Sequence, residues 1–412
     1  MVNAGPELEK LRNEFIFVSA SDAELERRWN AASEAMKEKD IDVLVAVSRT
    51  DLLGGYVRWF TDSPAQSEYI ATCIFYQDKD MATIFPDYNE LRMIPSNHKP
   101  NPWCARGIAR GYNRGYFSSL NYTNTYDAEI VVHELKNRGK IRVGLVGTSF
   151  MALPYYQYIT EHLPNAEFVD FTDEIDYLRA IKSEEEIEMI RGTCRMQDEL
   201  AYELRSFIRP GITENDIIAE MRYRLTLKGS EQGIPLVGSD GYGKPTFVMD
   251  PHYHNKRKLE MGDNLVVIPE FNGPSGMYAH EVLRFSLGEP HPGLLKLFEK
   301  CNYIYDHLLS LIKPGADCNQ ILREYNAFNA ELGLAPESRL LAHGMGYDFV
   351  ERPAIVPGDD ETILLAENMN IGVHPGVGGE GGLCYFGANY IIRKDGLERL
   401  HQYPFNELYI IE

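Results

Sequence analysis

The 412-residue chain is 44% hydrophobic and 25% charged, the proportions of a globular protein long enough for two or three domains and a sizeable core. Its net charge of −20 argues against gripping nucleic-acid phosphates or an anionic membrane face. No run approaches the ~20 apolar residues of a membrane span. The N-terminus has no charged stretch leading into an apolar one, and Cys73, Cys104, Cys194, Cys301, Cys318 and Cys384 form no CxxC pair, so a cytoplasmic protein with reduced thiols is expected.

Residues 22–39 have a helical period, with Asp22 as N-cap and Leu25, Trp29, Ala32 and Met36 on one face. Apolar runs at 41–48, 69–76, 81–86, 141–147 and 166–170 read as buried strands. Their alternation with helical stretches predicts an α/β layer. The segment 96–126 is rich in Gly, Asn, Tyr and Arg, with Arg106, Arg110 and Arg114 recurring every fourth residue. It reads as a surface loop, with a lid or partner contact as the alternative. Aromatics between arginines can stack on bases, but the overall charge disfavours that role.

From 175 onward the pattern is a long helix, with Ser183 and Glu186 forming a capping box and a break at Pro210-Gly211. FIRPGITENDI at 207–217 is echoed by LIKPGADCNQI at 311–321. Two copies are too few for a solenoid and suggest two related halves facing each other.

These elements together resemble the pita-bread superfamily of creatinase, prolidase and methionine aminopeptidase. LRAIKSEEEIEMIR (178–191) is similar to the linker and first helix of its creatinase and Xaa-Pro peptidase branch, and the Pro-Gly phrases match its pseudo-twofold halves. The resemblance implies an α/β (α+β) chain, with a creatinase-like domain over 1–175 and a pita-bread catalytic domain over 176–412. It also implies a homodimer whose N-terminal domain caps the neighbour's site, where Tyr56, Arg58 and Trp59 would contact substrate. On the residues alone these three are core or turn positions.

The superfamily's metal enzymes carry a catalytic His, two ligand Asp, a ligand His and two ligand Glu. Here PHYHNKRKLEMGD resembles the catalytic-His segment and places His252 there. The family's spacing then puts Glu270 and Glu281 where the two Asp belong, with Arg284 following as the pattern expects. AHGMGYDF gives His343 as the ligand His, and NIGVHPGV puts His374 in place of a Glu. The last Glu would fall near Gly387, where no carboxylate stands. So thorough a rewrite removes the bridging carboxylates that hold two cations together.

The expectation is therefore a metal-independent hydrolase of a C–N bond in a small polar non-peptide substrate, as in the creatine and ectoine branches. Glu270 would be nucleophile or base, and His252 the proton shuttle, since imidazole titrates near neutrality. Glu281, His343 and His374 would orient substrate, with Tyr278 as a further polar contact. Glu281 could instead simply pair with Arg284. Should a metal bind, Glu270, Glu281, His343 and His374 could hold one Zn or Fe. The alternatives are a metal-dependent Xaa-Pro dipeptidase, a lyase using a carboxylate base, and a non-enzymatic peptide-binding module.

Overall fold

The computed structural model describes residues 18–48, 55–63, 70–85, 94–95, 107, 110–113, 125–246, 256–359 and 361–412. The chain divides into two compact units at Arg179/Ala180.

The N-terminal unit contains α1 (Asp22–Glu38), β1 (Val43–Ser48), α2 (Tyr56–Thr61), β2 (Ala71–Tyr76), β3 (Met81–Phe85), β4 (Ile94–Pro95) and β5 (Arg110–Asn113). It continues through α3 (Thr125–Leu135), β6 (Ile141–Val146), α4 (Leu153–His162), β7 (Ala166–Asp170) and α5 (Thr172–Ala180). Its strands form one seven-stranded sheet in the order β4-β5-β3-β2-β1-β6-β7. β1 runs antiparallel to β2 and parallel to β6, and every residue of β1 and β2 is buried. Strands covered on both faces need near-continuous apolar runs, which is the pattern the sequence shows here.

The cap of α1 is Ser21 rather than Asp22: Ser21 Oγ accepts the Glu24 amide at 3.1 Å. Asp22 is the first helical residue, where its charge complements the helix dipole. Most of the Arg- and Tyr-rich segment 96–126 lies outside the described residues. Arg110, within it, sits on β5 and pairs with Asp80 at 2.7 Å and Glu134 at 3.0 Å.

The C-terminal unit contains α6 (Glu184–Phe207), α7 (Glu214–Leu227), β8 (Gly233–Asp240), β9 (Asn264–Asn272), β10 (Tyr278–Ala279) and β11 (Leu283–Leu287). Then come α8 (Pro292–Leu311), α9 (Cys318–Glu331), β12 (Ala342–Gly344), β13 (Glu351–Ile355), β14 (Asn370–Val373), β15 (Gly376–Gly379), β16 (Gly382–Tyr385), β17 (Ala388–Arg393), β18 (Gly396–Arg399) and β19 (Tyr409–Ile411). The capping box of α6 is formed in both directions, Glu186 N to Ser183 Oγ at 3.1 Å and Ser183 N to Glu186 Oε2 at 2.9 Å.

The repeated Pro-Gly phrase has a repeated structural role. In the first copy, Gly211 N donates to Leu259 O and Leu259 N returns to Ile212 O, both at 2.8 Å. In the second, Gly315 N donates to Leu365 O at 2.7 Å and Leu365 N to Ala316 O at 2.9 Å. Both glycines have positive φ, +92° and +82°, which a residue with a Cβ rarely adopts. Each helix–turn–helix thus clamps the segment that leads into the next strand set. One half builds the sheet β10-β9-β11-β19 with β8 on β9; the other builds β13-β12-β14-β17-β18. The mixed α/β architecture agrees with the expected pita-bread fold. No helix among the described residues is long and apolar enough to cross a membrane.

Candidate active site

Glu270 lies near the end of β9, and the strand facing it decides its neighbours. β10 and β11 both run antiparallel to β9 in one unbroken register: Tyr278 opposite Asn272, Ala279 opposite Phe271, Leu283 opposite Val267. That register sets His280 opposite Glu270, about 5 Å away between Cβ atoms for such a pair. Successive side chains alternate between faces. Ile268, Glu270, His280 and Val282 therefore share one face, and all four line a cavity of about 710 Å³.

The second half brings His374 to this cavity and His343 beside it. His343 is on β12, and His374 follows β14, tied to β12 by its amide bond to Leu341 O at 2.9 Å. The rings of His280, His343 and His374 lie 4.7–5.7 Å apart between centroids. One nitrogen from each lies within 4.8 Å of the others. Two glycines make room for His280. A Cβ at Gly372 would stand 2.7 Å from its Cε1, and one at Gly387 would stand 3.1 Å from its Nε2.

The electrostatics leave these rings neutral. Burial lowers the pKa of His343 to about 4. Burial, then the neighbouring histidines, hold His280 well below its usual range; burial, His343 and Arg339 do the same for His374. His343 Nδ1 lies 2.8 Å from Gly344 O. A carbonyl only accepts, so Nδ1 carries the proton and Nε2 keeps its lone pair. Both ring nitrogens of His280 and Nε2 of His374 have no hydrogen-bond partner among the described residues. Buried polar nitrogens left without partners are costly, so the unpartnered nitrogens of His280 and His374, in a cluster completed by His343, call for a ligand. Glu270 is pushed up to about 7 by burial alone, which leaves it half-protonated near neutrality.

Glu281, expected beside Glu270, is on the opposite face of the sheet, because one residue along a strand reverses direction. It is fully buried near Asp198 and His401, in a second cluster whose ligand-type atoms also lie within 4.8 Å of one another. Burial and then Asp198 hold the pKa of Glu281 well above the usual carboxylate range, which favours its neutral form. Asp198 is committed to structure: it accepts from the amides of Gln402 and Tyr403 at 2.8 and 3.1 Å, and its Oδ1 lies 3.2 Å from His401 Nδ1. Nor does Glu281 pair with Arg284, which points the other way. Arg284 donates to Leu383 O at 2.8 Å and lies near the rings of Phe298 and Tyr385.

The remaining expected site residues are dispersed. His252 lies outside the described residues. Tyr278 is buried, its ring edge-on to Phe349 at 6.5 Å. Tyr56, Arg58 and Trp59 are buried on α2 within the N-terminal unit, where Tyr56 faces the Arg179 guanidinium and Trp59 packs edge-on to Phe60.

Several cavity residues escaped the sequence reading. His280 is the foremost, and strand alternation was its available signal. Tyr385 and Arg339 also line the cavity. Tyr385 Oη has no partner among the described residues, while Arg339 is held by Glu337 at 2.7 Å and donates to His374 O at 3.3 Å.

Residues 188–394 match the family described as Metallopeptidase family M24. The chain is 27% identical over 291 residues to the probable dipeptidase PepE of Mycobacterium tuberculosis, covering 65% of this chain and 73% of that one. It is 26% identical over 315 residues to the Xaa-Pro dipeptidase of Pyrococcus horikoshii (71% and 87% covered), and 25% over 330 residues to the creatinase of a Bacillus species (71% and 75%). The crystal structure of dipeptidase PepE from Mycobacterium ulcerans superposes with a TM-score of 0.72 at 19% identity, covering 96% of this chain and all of that one.

These findings correct two expectations. The relatives are chiefly peptidases, which counts against a metal-independent hydrolase of a non-peptide C–N bond. The absence of a cofactor is overturned as well. His343, expected as the ligand His, and His374, expected in place of a ligand Glu, converge with His280 into a set of neutral nitrogen donors suited to a divalent ion.

Proposed function

The chain belongs to metallopeptidase family M24, and from that premise we propose that it is a metal-dependent peptidase of the Xaa-Pro dipeptidase type, acting on dipeptide-sized substrates. The observation that carries this reading is the convergence of three neutral histidines, one nitrogen of each within 4.8 Å of the others, with His280 and His374 on the cavity wall that also carries Glu270. His280, His343 and His374 would hold the ion, with Glu270 on the same cavity wall. When bound, it supplies Lewis-acid polarisation of the scissile carbonyl and of water.

The chain's own residues supply the rest. Glu270, a desolvated carboxyl on the cavity wall, can take a proton from water and return it to the leaving amine. Arg339, fixed by Glu337, offers positive charge at the cavity wall for a substrate carboxylate. Tyr385 Oη is a further hydrogen-bonding group. Leu334, Pro336, Val377 and Leu383 form an apolar wall that suits a pyrrolidine ring and excludes water.

The test is hydrolysis of Xaa-Pro dipeptides by protein stripped with chelator and reloaded separately with Zn(II), Co(II), Mn(II) or Fe(II). Cleavage that disappears on stripping and returns on reloading is expected. Loss of the reading would follow from no dipeptide cleavage with any of these ions.

A further inference from the structure

We propose that the cavity is a single-ion, three-histidine centre, in which His280, His343 and His374 bind one nitrogen-preferring transition metal per chain rather than a carboxylate-bridged pair. The proposal rests on the metal-dependent reading above and adds stoichiometry, ligand identity and metal selectivity to it.

Three observations support a single ion. The first is the direction of the carboxylates. A bridged pair needs several carboxylates on one side of the sheet. The β9–β11 register turns Glu281 to the opposite face, where it is packed beside Asp198 and His401. Among the described residues lining the cavity, Glu337 is the other acidic side chain besides Glu270, and it is engaged by Arg339.

The second is space. The place for a side chain at residue 387 is taken by the His280 ring, whose Nε2 would lie 3.1 Å from a Cβ there; Val282 Cγ2 would be only 2.6 Å away. Gly372 is under the same constraint, at 2.7 Å from His280 Cε1. The imidazole of residue 280 therefore occupies room that larger side chains at 372 and 387 would need. The glycines and the histidine form one matched set.

The third is charge. Two dications need about four carboxylates for neutrality. Three neutral imidazoles and one carboxylate suit one dication, leaving a single positive charge that a substrate carboxylate can balance. Imidazole donors also set the metal preference. They favour Zn(II), Co(II), Ni(II) or Cu(II), whereas Mg(II) and Mn(II) prefer oxygen-rich sites.

The full-length protein, stripped and then reloaded with Zn(II), tests this directly. Elemental analysis after dialysis should find one Zn(II) per chain. X-ray absorption at the zinc edge should count three imidazole rings about it. His280→Ala should weaken Zn(II) binding by more than the ~10–100-fold typical of losing an outer partner, while Glu281→Gln keeps one ion per chain. Two ions per chain, a single imidazole about the zinc, or unchanged Zn(II) affinity in folded His280→Ala would each overturn the proposal. If His280→Ala does not fold, stoichiometry and ring count on the wild-type protein decide. None of these readouts depends on peptide cleavage, so one zinc on three imidazoles without peptidase activity would leave this centre standing and remove the proposed activity alone.

Discussion

The protonation of Glu270 predicts a measurable conflict between stability and function. In the metal-free protein, burial raises its pKa from 4.5 to about 7. The unfolded chain loses this proton near pH 4.5 and the folded chain only near 7. Ionisation therefore favours the unfolded state across that window, and stability falls as pH rises through it. At ~1.4 kcal/mol per pH unit, the full effect above pH 8 is ~3 kcal/mol. Glu270→Gln keeps the shape and has no proton to lose. In chelator, the variant should match wild type at pH 4 and exceed it by up to ~3 kcal/mol at pH 8, measured by urea unfolding of the C-terminal unit. Adding Zn(II) at pH 8 should narrow or reverse the gap, because a cation beside residue 270 favours carboxylate over amide. A difference that is the same at pH 4 and pH 8 would refute the assignment of a desolvated, titrating carboxyl.

Zn(II) titrated calorimetrically at pH 7 in buffers of different ionisation enthalpy should release about half a proton from Glu270 and none from the three neutral histidines; release unchanged in Glu270→Gln would contradict this. Gly372→Ala puts a methyl 2.7 Å from His280 Cε1, and should weaken Zn(II) binding while circular dichroism stays native; wild-type affinity would show that the ring can yield. Glu281→Gln replaces a carboxyl whose pKa is raised by burial and Asp198, so wild-type stability is lost as pH rises from the unfolded-state value. The variant should gain stability relative to wild type between pH 4 and pH 8, and a parallel pH profile would show that Glu281 is ionised in the fold.

The α/β layer, the helix starting after Ser183 and the Pro-Gly echo were legible because each rests on a local signal: apolar runs, a capping box, a turn that requires positive φ. The proposed site was legible only in part, because the side chains that meet at the cavity are arranged by strand register rather than by spacing along the chain. Counting residues onto a family pattern singled out Glu270, His343 and His374, of which Glu270 and His374 line the cavity and His343 lies against His374. The same counting fixed on Glu281 and passed over His280, although the two are adjacent. Which of them faces the cavity depends on the antiparallel register of β9 with β10 and β11, and a shift of one residue would exchange them. Once His280 faces the cavity, the small residues at 372 and 387 are explained by the ring they accommodate. The positions that looked like the erosion of a metal site are then mutually consistent: His280 faces the cavity, Glu281 faces the core with its pKa raised by burial, and the residue beside the His280 ring at 387 is glycine. Loss of ligands by drift would not be expected to leave three neutral imidazoles within 4.8 Å of one another with both nitrogens of His280 and Nε2 of His374 unbonded, since that arrangement carries a desolvation cost that an occupant offsets.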